Sequence, residues 1–331
     1  MLSGLPLLPE PRGPASRSLI EYLDGTSSAP SPRDATETTD EDRQLALYVA
    51  YELHYRSFAG VDDRAEWDPA ILGLRSALEQ WFEDAVLAEV EVPRCPPEAI
   101  GEKLFEMAED DEGPSLSAYL ESAGDVDQFR EFMIHRSAYQ LKEADPHTWA
   151  IPRLEGGPKS ALVEVQADEY GSGDPARMHS ELFANAMDAL GLDSRYGAYI
   201  GRIPGSTLAT VNLISLFGLH RRLRGALVGH LAMFEITSPG PNRRYGRALR
   251  RLGYGDDATA FYDEHVEADS VHENVAAYDL AQSLAMAEPA QTGDILFGAA
   301  ALLELDARMA GAVLGAWECG ESSLREQPAP A

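Results

Sequence analysis

Apolar positions recur at three- and four-residue intervals along most of the chain, the period of a helix laid against a core. From Asp42, DRQLALYVAYELHYRSF has this period, GVDDRAEWDP interrupts it as a loop, and a helix is predicted over 70–87. Pro93, Pro96 and Pro97 break the chain by removing backbone donors and fixing φ. Helices follow over 97–109 and 115–123. VDQFREFMIHRSAYQLKEAD reads as one helix ending near Asp145-Pro146. The next helical stretch ends at Glu169-Tyr170, where Gly171 and Gly173 interrupt it. Asp174 as N-cap, with Pro175 at the first helical position, predicts a second helix reaching about Leu190 and stopping at Gly191. STLATVNLISLFGLHRRLRGALVGHLAMFEITSP is a long apolar helical run that Gly218 divides or kinks. PNRRYGRALRRLG is a basic amphipathic helix, and further helices are predicted over 258–286 and 293–317. TVNLISLF could pass for a strand, but its flanks favour helix. With no useful strand alternation, no glycine-rich phosphate loop and no repeat, the fold class is all-α.

Residues 1–40 and 321–331 are rich in Pro, Gly, Ser, Thr or Ala and are expected to be flexible tails, with room for a short helix over 18–23. Between them, 41–124 reads as a helical N-terminal portion packing on a core domain at 125–320. Hydrophobic content of 44% suits a globular core. Lys+Arg 27 against Asp+Glu 55 gives a net charge of −28, which argues against nucleic acid and anionic membranes as partners. Cys95 and Cys319 alone exclude a disulfide framework and cysteine-rich metal sites. With no apolar leader at the N-terminus, the expectation is a cytoplasmic protein.

The densest chemistry lies in FYDEHVEADSVHE. His265, Asp269 and His272 stand at i, i+4 and i+7, so a helix places them on one face. One helix cannot close a metal site. Glu143 at a helix end, Glu169 and His179 flanking the glycine break, and Glu235 at the end of ALVGHLAMFE are the candidates to complete it. A carboxylate ending so apolar a run is costly unless it is paired, protonated or metal-bound. Carboxylates and imidazoles without thiolates suit iron or manganese, and helical bundles build dinuclear sites this way. The alternative is a helix face with two satisfied histidines and a salt-bridged Asp269. Glu52 and His54 point to different helix faces and read as a packed pair. His220 reads as a helix-surface residue and His230 as a packed one. Arg202, Arg221, Arg222 and Arg224 include candidate carboxylate anchors or are simply surface residues.

Glu169 and His179 ten residues apart, HLAMFE, and HVEADSVH, in this order and spacing, resemble the heme-oxygenase-like diiron oxidases and oxygenases, the iron-containing redox enzymes. The resemblance spans roughly 125–286, and YELHYRSFAGVDDRAEWDP is also similar to members of that group. It implies a heme-oxygenase-like bundle of about seven core helices. Its ligands would be Glu169, His179, Glu235, His265, Asp269 and His272, with Glu143 as a further upstream carboxylate. The ten-residue gap is closest to the N-oxygenating branch. The implied activity is O2-dependent N-oxygenation of a small amine, amino acid or guanidine in natural-product biosynthesis. It would use two Fe(II) ions, iron ahead of manganese, and pass through a peroxo-diferric species. Desaturation, oxidative C–C cleavage or decarboxylation by the same cofactor is the alternative, and a non-catalytic metal-binding helical protein is another. No haem is implied, since converging histidines and carboxylates make a metal cage rather than a porphyrin slot. The implied partners are a small-molecule substrate, O2 and an external electron donor, and a homodimer is compatible.

Overall fold

The computed structural model describes residues 4–326, apart from the side chains of residues 268–271. Every regular element among the described residues is helical, as the periodicity predicts. No described helix is long and apolar enough to cross a membrane. The chain divides into two compact units. The first holds the described residues up to Glu89, Arg195–Leu213 and the segment from Leu324; the second holds Val90–Ser194 and Ile214–Ser323.

The first unit contains α1 (Pro14–Leu23), α2 (Asp40–Glu52) and α3 (Pro69–Glu89). Composition suggests a flexible tail over 1–40, yet α1 is a formed helix whose Ala15 and Leu19 are fully buried. Gly13 has no side chain to cap it, and Asp42 of α2 does so instead, accepting from Ala15 N at 2.8 Å and Ser16 N at 3.0 Å. Arg12 donates to the carbonyls of Ile200 and Ile203 at 2.9 and 2.7 Å. The C-terminal segment is likewise tied in, with Arg325 N donating to Arg202 O at 2.8 Å; residues 327–331 of the expected tail lie outside the described residues. Glu52 is buried and accepts from Tyr196 OH at 2.6 Å, while His54 meets Glu66 at 3.1 Å. Both therefore serve packing.

In the second unit, α4 (Ile100–Glu109) follows a 3₁₀ turn at Pro97–Ala99, then come α5 (Leu116–Ser122), α6 (Val126–Gln140), the short α7 (Asp145–Thr148), α8 (Gly156–Glu169) and α9 (His179–Ala189). Next is α10 (Gly205–Leu219), which begins in the first unit, followed by α11 (Arg224–Thr237), α12 (Pro239–Arg251), α13 (Asp256–Asn274), α14 (Ser283–Ala287) and α15 (Thr292–Glu318). The boundary expected near residue 124 is not where the units part. The helices α4 and α5 belong with the core, because Ile100, Leu104, Leu116 and Leu120 are buried there.

Two glycines bring α11 and α15 into close contact. A Cβ on Gly229 would lie 1.8 Å from Ile295 O, and one on Gly298 would lie 1.9 Å from Ala226 O. Gly218 has a similar use. It was expected to divide or kink a long helix, but α10 continues past it and breaks at His220–Leu223. A Cβ at Gly218 would lie 2.7 Å from Pro146 O, so its role is close approach. His220 accordingly sits in the break rather than on a helix surface. The helix expected over 258–286 is continuous but changes pitch, with a π-helix over Val275–Gln282 between α13 and α14. There the Tyr278 ring lies over Gly101, and Gln282 Oε1 accepts from Gly101 N at 3.1 Å. The basic residues of α12 pair locally: Arg247 with Glu121 at 3.1 Å, Arg250 with Asp263, and Arg251 with carbonyls at the end of α5.

Candidate metal centre

The site begins where α6 stops. Ala144 takes a left-handed φ of 74°, unfavourable for a residue with a Cβ, and the turn leaves the adjacent Glu143 buried. The turn is held from α8. Gln166 Nε2 donates to Ala144 O at 2.9 Å and to Thr148 Oγ1 at 2.7 Å, and Tyr170 OH donates to Asp145 at 2.9 Å. Gln166 lies one turn before Glu169, so the bonds that fix the Glu143 turn also fix the end of α8.

Glu169 is the last residue of α8, and His179 is the first of α9. The loop between them folds back tightly. Gly171 has a φ of 71°, and a Cβ there would stand 2.7 Å from Met178 N. Asp174 caps a 3₁₀ turn at Pro175–Arg177, accepting from Ala176 N at 3.0 Å. Asp174 and Pro175 thus open this turn rather than α9, as had been expected. The outcome is that Glu169 Oε2 and His179 Nδ1 stand 3.0 Å apart.

The third wall is α13. His265 Nδ1 donates to Phe261 O at 2.7 Å, which places the lone pair on Nε2, 3.6 Å from Glu143 Oε1. Its ring lies 4.3 Å from that of His179. Donor atoms of Glu143, Glu169, His179 and His265, all buried, lie within 4.8 Å of one another. Two turns along α13, His272 Nε2 donates to Asp168 at 3.0 Å, and Nδ1 stands 3.8 Å from Glu235 Oε2 on α11. The side chain of Asp269 lies outside the described residues.

Buried carboxylates and imidazoles at this density need a cation. Glu143 Oε2 and His272 Nδ1 are buried without a hydrogen-bond partner, each costing on the order of 1–3 kcal/mol if left so, and Glu169 Oε2 and His179 Nδ1 have each other at 3.0 Å. Burial acts to raise the Glu169 carboxyl, but attraction to His179, His265 and His272 brings it down to about 2. Burial acts to lower the His179 imidazole, and Glu169 outweighs it, raising the imidazole above its ordinary value. Tyr139, pushed well up first by burial, is pushed further by Glu143, Glu169 and Glu235. Protons on the histidines and a metal ion answer the same need, and the oxygen and nitrogen donor set fits iron.

Glu143, Glu169, Glu235 and His265 also line a cavity of about 580 Å³. Four of the seven sequence candidates therefore share one cluster, Glu235 and His272 form an adjoining pair, and Asp269 is undescribed. Sequence reasoning missed Asp168, which orients His272, and His147, which lines the cavity. His147 Nε2 lies 3.2 Å from His230 Nδ1, and His230 stacks on Phe234 at 5.2 Å, so His230 is packed. Asp168 is adjacent to Glu169 and could have been weighed as a supporting carboxylate, whereas nothing in the sequence pairs His147 with His230.

The family described as "Iron-containing redox enzyme" matches residues 130–307, a span that contains all seven candidates. A nitrosourea synthase from Streptomyces achromogenes subsp. streptozoticus is 28% identical over 167 residues, 50% of this chain and 35% of that protein. The match thus spans about a third of that relative's length. A solved CADD-like protein of unknown function from Nostoc punctiforme PCC 73102 shares the fold. Its TM-score is 0.51 at 15% identity, over 64% of this chain and 94% of that one.

Proposed function

The chain belongs to the iron-containing redox enzymes, and from that premise we propose that it is a non-haem diiron oxygenase that N-oxygenates a small amine, amino acid or guanidine. The observation that carries this reading is the convergence of buried Glu143, Glu169, His179 and His265 on one point at the wall of a cavity. These four, with Glu235, His272 and Asp269, would hold the metal. Two iron(II) ions there would supply electrons to O2. The chain's own residues set the conditions. Phe261 O and Asp168 orient His265 and His272, so that one nitrogen of each faces a buried carboxylate. Phe183, Phe234 and Phe261 line the cavity beside the carboxylates and give it apolar wall there. Nitrogen is favoured as the oxidised atom because a nitrosourea, the product named for the Streptomyces relative, carries an oxygen-bearing nitrogen. An external electron donor is part of the proposal.

The test is anaerobic loading with Fe(II), metal analysis, then exposure to O2 with amines, amino acids and alkyl acids, followed by mass spectrometry. The expected result is about two irons per chain and products heavier by one oxygen on nitrogen. Less than about one iron per chain with no O2 uptake would remove the oxygenase reading. Desaturated or chain-shortened acids would keep the cofactor and replace the reaction.

A further inference from the structure

The metal centre leaves the outer face of α12 unused. Residues 238–255 carry five arginines and no lysine or carboxylate, in a chain whose net charge is −28. Arg243, Arg244, Arg247, Arg250 and Arg251 fall within about 120° of the helix circumference at 3.6 residues per turn, opposite the buried Tyr245 and Leu249. Arg247 and Arg250 meet Glu121 and Asp263, and Arg244 shares Glu121 at 4.0 Å. Arg251 donates to the carbonyls of Leu120 and Glu121, neutral acceptors that leave its charge in place. Among the described residues these pairings set two carboxylates against five cations, so the stripe keeps a positive field. Arg244, Arg247 and Arg250 also stay open to solvent, at 44%, 61% and 49% exposure. Beneath the stripe, aromatic rings lead to the metal centre. Between ring centroids, Tyr245 lies 5.6 Å from Tyr262, Tyr262 lies 5.1 Å from Phe261, and Phe261 lies 4.3 Å from His265.

We propose that the arginine face of α12 docks an acidic one-electron carrier protein of the ferredoxin type. This rests on the oxygenase reading above, which requires an external donor, and names the donor's class and landing place. N-oxygenation of an amine by O2 consumes two electrons and two protons and returns one oxygen atom as water. Two reduced iron–sulfur carriers therefore give up one electron each per turnover. Charge complementarity selects the partner. A chain of −28 repels an acidic protein as a whole, but at physiological salt that repulsion is screened beyond about 8 Å, so a local basic stripe decides where contact forms. The stripe runs about 12 Å along the helix axis, which suits the small, transient interfaces of redox carriers. A nucleic acid or an anionic membrane would reach past it to Asp256 and Asp257 at the start of α13 and meet repulsion. From the docking face the packed rings give the electron a bridge of short gaps to His265. They shorten the tunnelling distance and are not themselves oxidised or reduced.

Two measurements test this: calorimetric titration with an oxidised plant-type [2Fe–2S] ferredoxin, and anaerobic stopped-flow reduction of the iron-loaded diferric protein by the reduced form. Binding should weaken about tenfold or more between low salt and about 0.3 M salt. Arg243→Glu combined with Arg247→Glu should weaken binding at low salt by roughly tenfold or more and slow reduction by ferredoxin in proportion. The same variant should be reduced by photoreduced 5-deazariboflavin, a small uncharged donor, as fast as the unaltered protein. Arg243→Lys with Arg247→Lys keeps the charge and should bind ferredoxin like the unaltered protein. Both positions are exposed, and thermal unfolding separates lost docking from lost folding. Ferredoxin binding that is absent, ignores salt or survives the double charge reversal overturns the proposal. So does a flavodoxin, a DNA duplex or a phosphatidylserine vesicle that binds these arginines where ferredoxin does not. The titration needs no iron, so docking is read independently of the metal. If ferredoxin binds and reduces the protein as expected but no amine gains oxygen, the docking face stands and the reaction assignment falls.

Discussion

The two imidazoles of α13 are fixed by different acceptors, a backbone carbonyl for His265 and the carboxylate of Asp168 for His272. Each acceptor selects a tautomer and so decides which nitrogen faces the centre. The i, i+7 placement of these histidines was legible in the sequence, because helix periodicity alone puts them on one face. Their acceptors come from backbone folding and from another helix, which periodicity cannot supply. His147 shows the same limit and carries its own prediction. Burial pushes its imidazole down to about 4, from an ordinary value of 6.5. The unfolded chain then binds a proton between pH 6.5 and about 4 that the native protein does not. Stability from this group is therefore complete above pH 6.5 and is lost as pH falls toward 4. The whole loss is on the order of 3 kcal/mol at about 1.4 kcal/mol per pH unit. Urea unfolding at pH 7 and pH 4.5 should show His147→Gln with a shallower pH dependence than the unaltered protein. Equal slopes would mean that His147 takes its proton in the native state as readily as in the unfolded one.

At the scale of the elements, the centre depends on helices being brought closer than ordinary side chains permit. Gly229 and Gly298 bring α11 and α15 together, and α11 carries Glu235 two turns beyond Gly229. Gly229→Ala would drive a methyl into Ile295 O and force the helices apart. The expected cost is about 2–3 kcal/mol, typical of overpacking a filled core. Since Glu235 rides on α11, the substitution should also weaken metal retention if Glu235 and His272 are ligands as proposed. Thermal unfolding with chelator competition measures both. A variant that unfolds and holds metal like the original would show the crossing to be loose. The glycine break after Glu169 could be read from GSGDP, because Gly, Asp and Pro are punctuating residues with local physical causes. Its effect, Glu169 returning to His179, could not, because the loop's path depends on Gly171 lying against Met178. The crossing of α11 and α15, the true break at His220 and the π-helix after Asn274 were equally hidden. Each is set by what a helix packs on, while a sequence window records only its own period.

For the whole molecule, a net charge of −28 coexists with buried carboxylates gathered beside buried histidines at one point. The composition made the acidity plain, but only the fold shows which carboxylates are drawn inward against their mutual repulsion. A bound cation relieves that repulsion in the native state alone, so metal binding and folding are linked. At a free metal concentration 100 times the dissociation constant, the linkage is worth about 2.7 kcal/mol. The gain should be local to the unit that holds the donors, since the candidate cluster of Glu143, Glu169, His179 and His265 lies wholly in the second unit. Hydrogen exchange with and without Fe(II) under anaerobic conditions reads this directly. Metal should slow exchange at the end of α6, around the Glu169–His179 loop, in α11 and in α13, and leave α1 to α3 little changed. A chelator should reverse the effect. Slowing spread evenly over α1 to α3 would point to metal held by surface carboxylates, which are distributed along an acidic chain, and would remove the buried centre as the binding site.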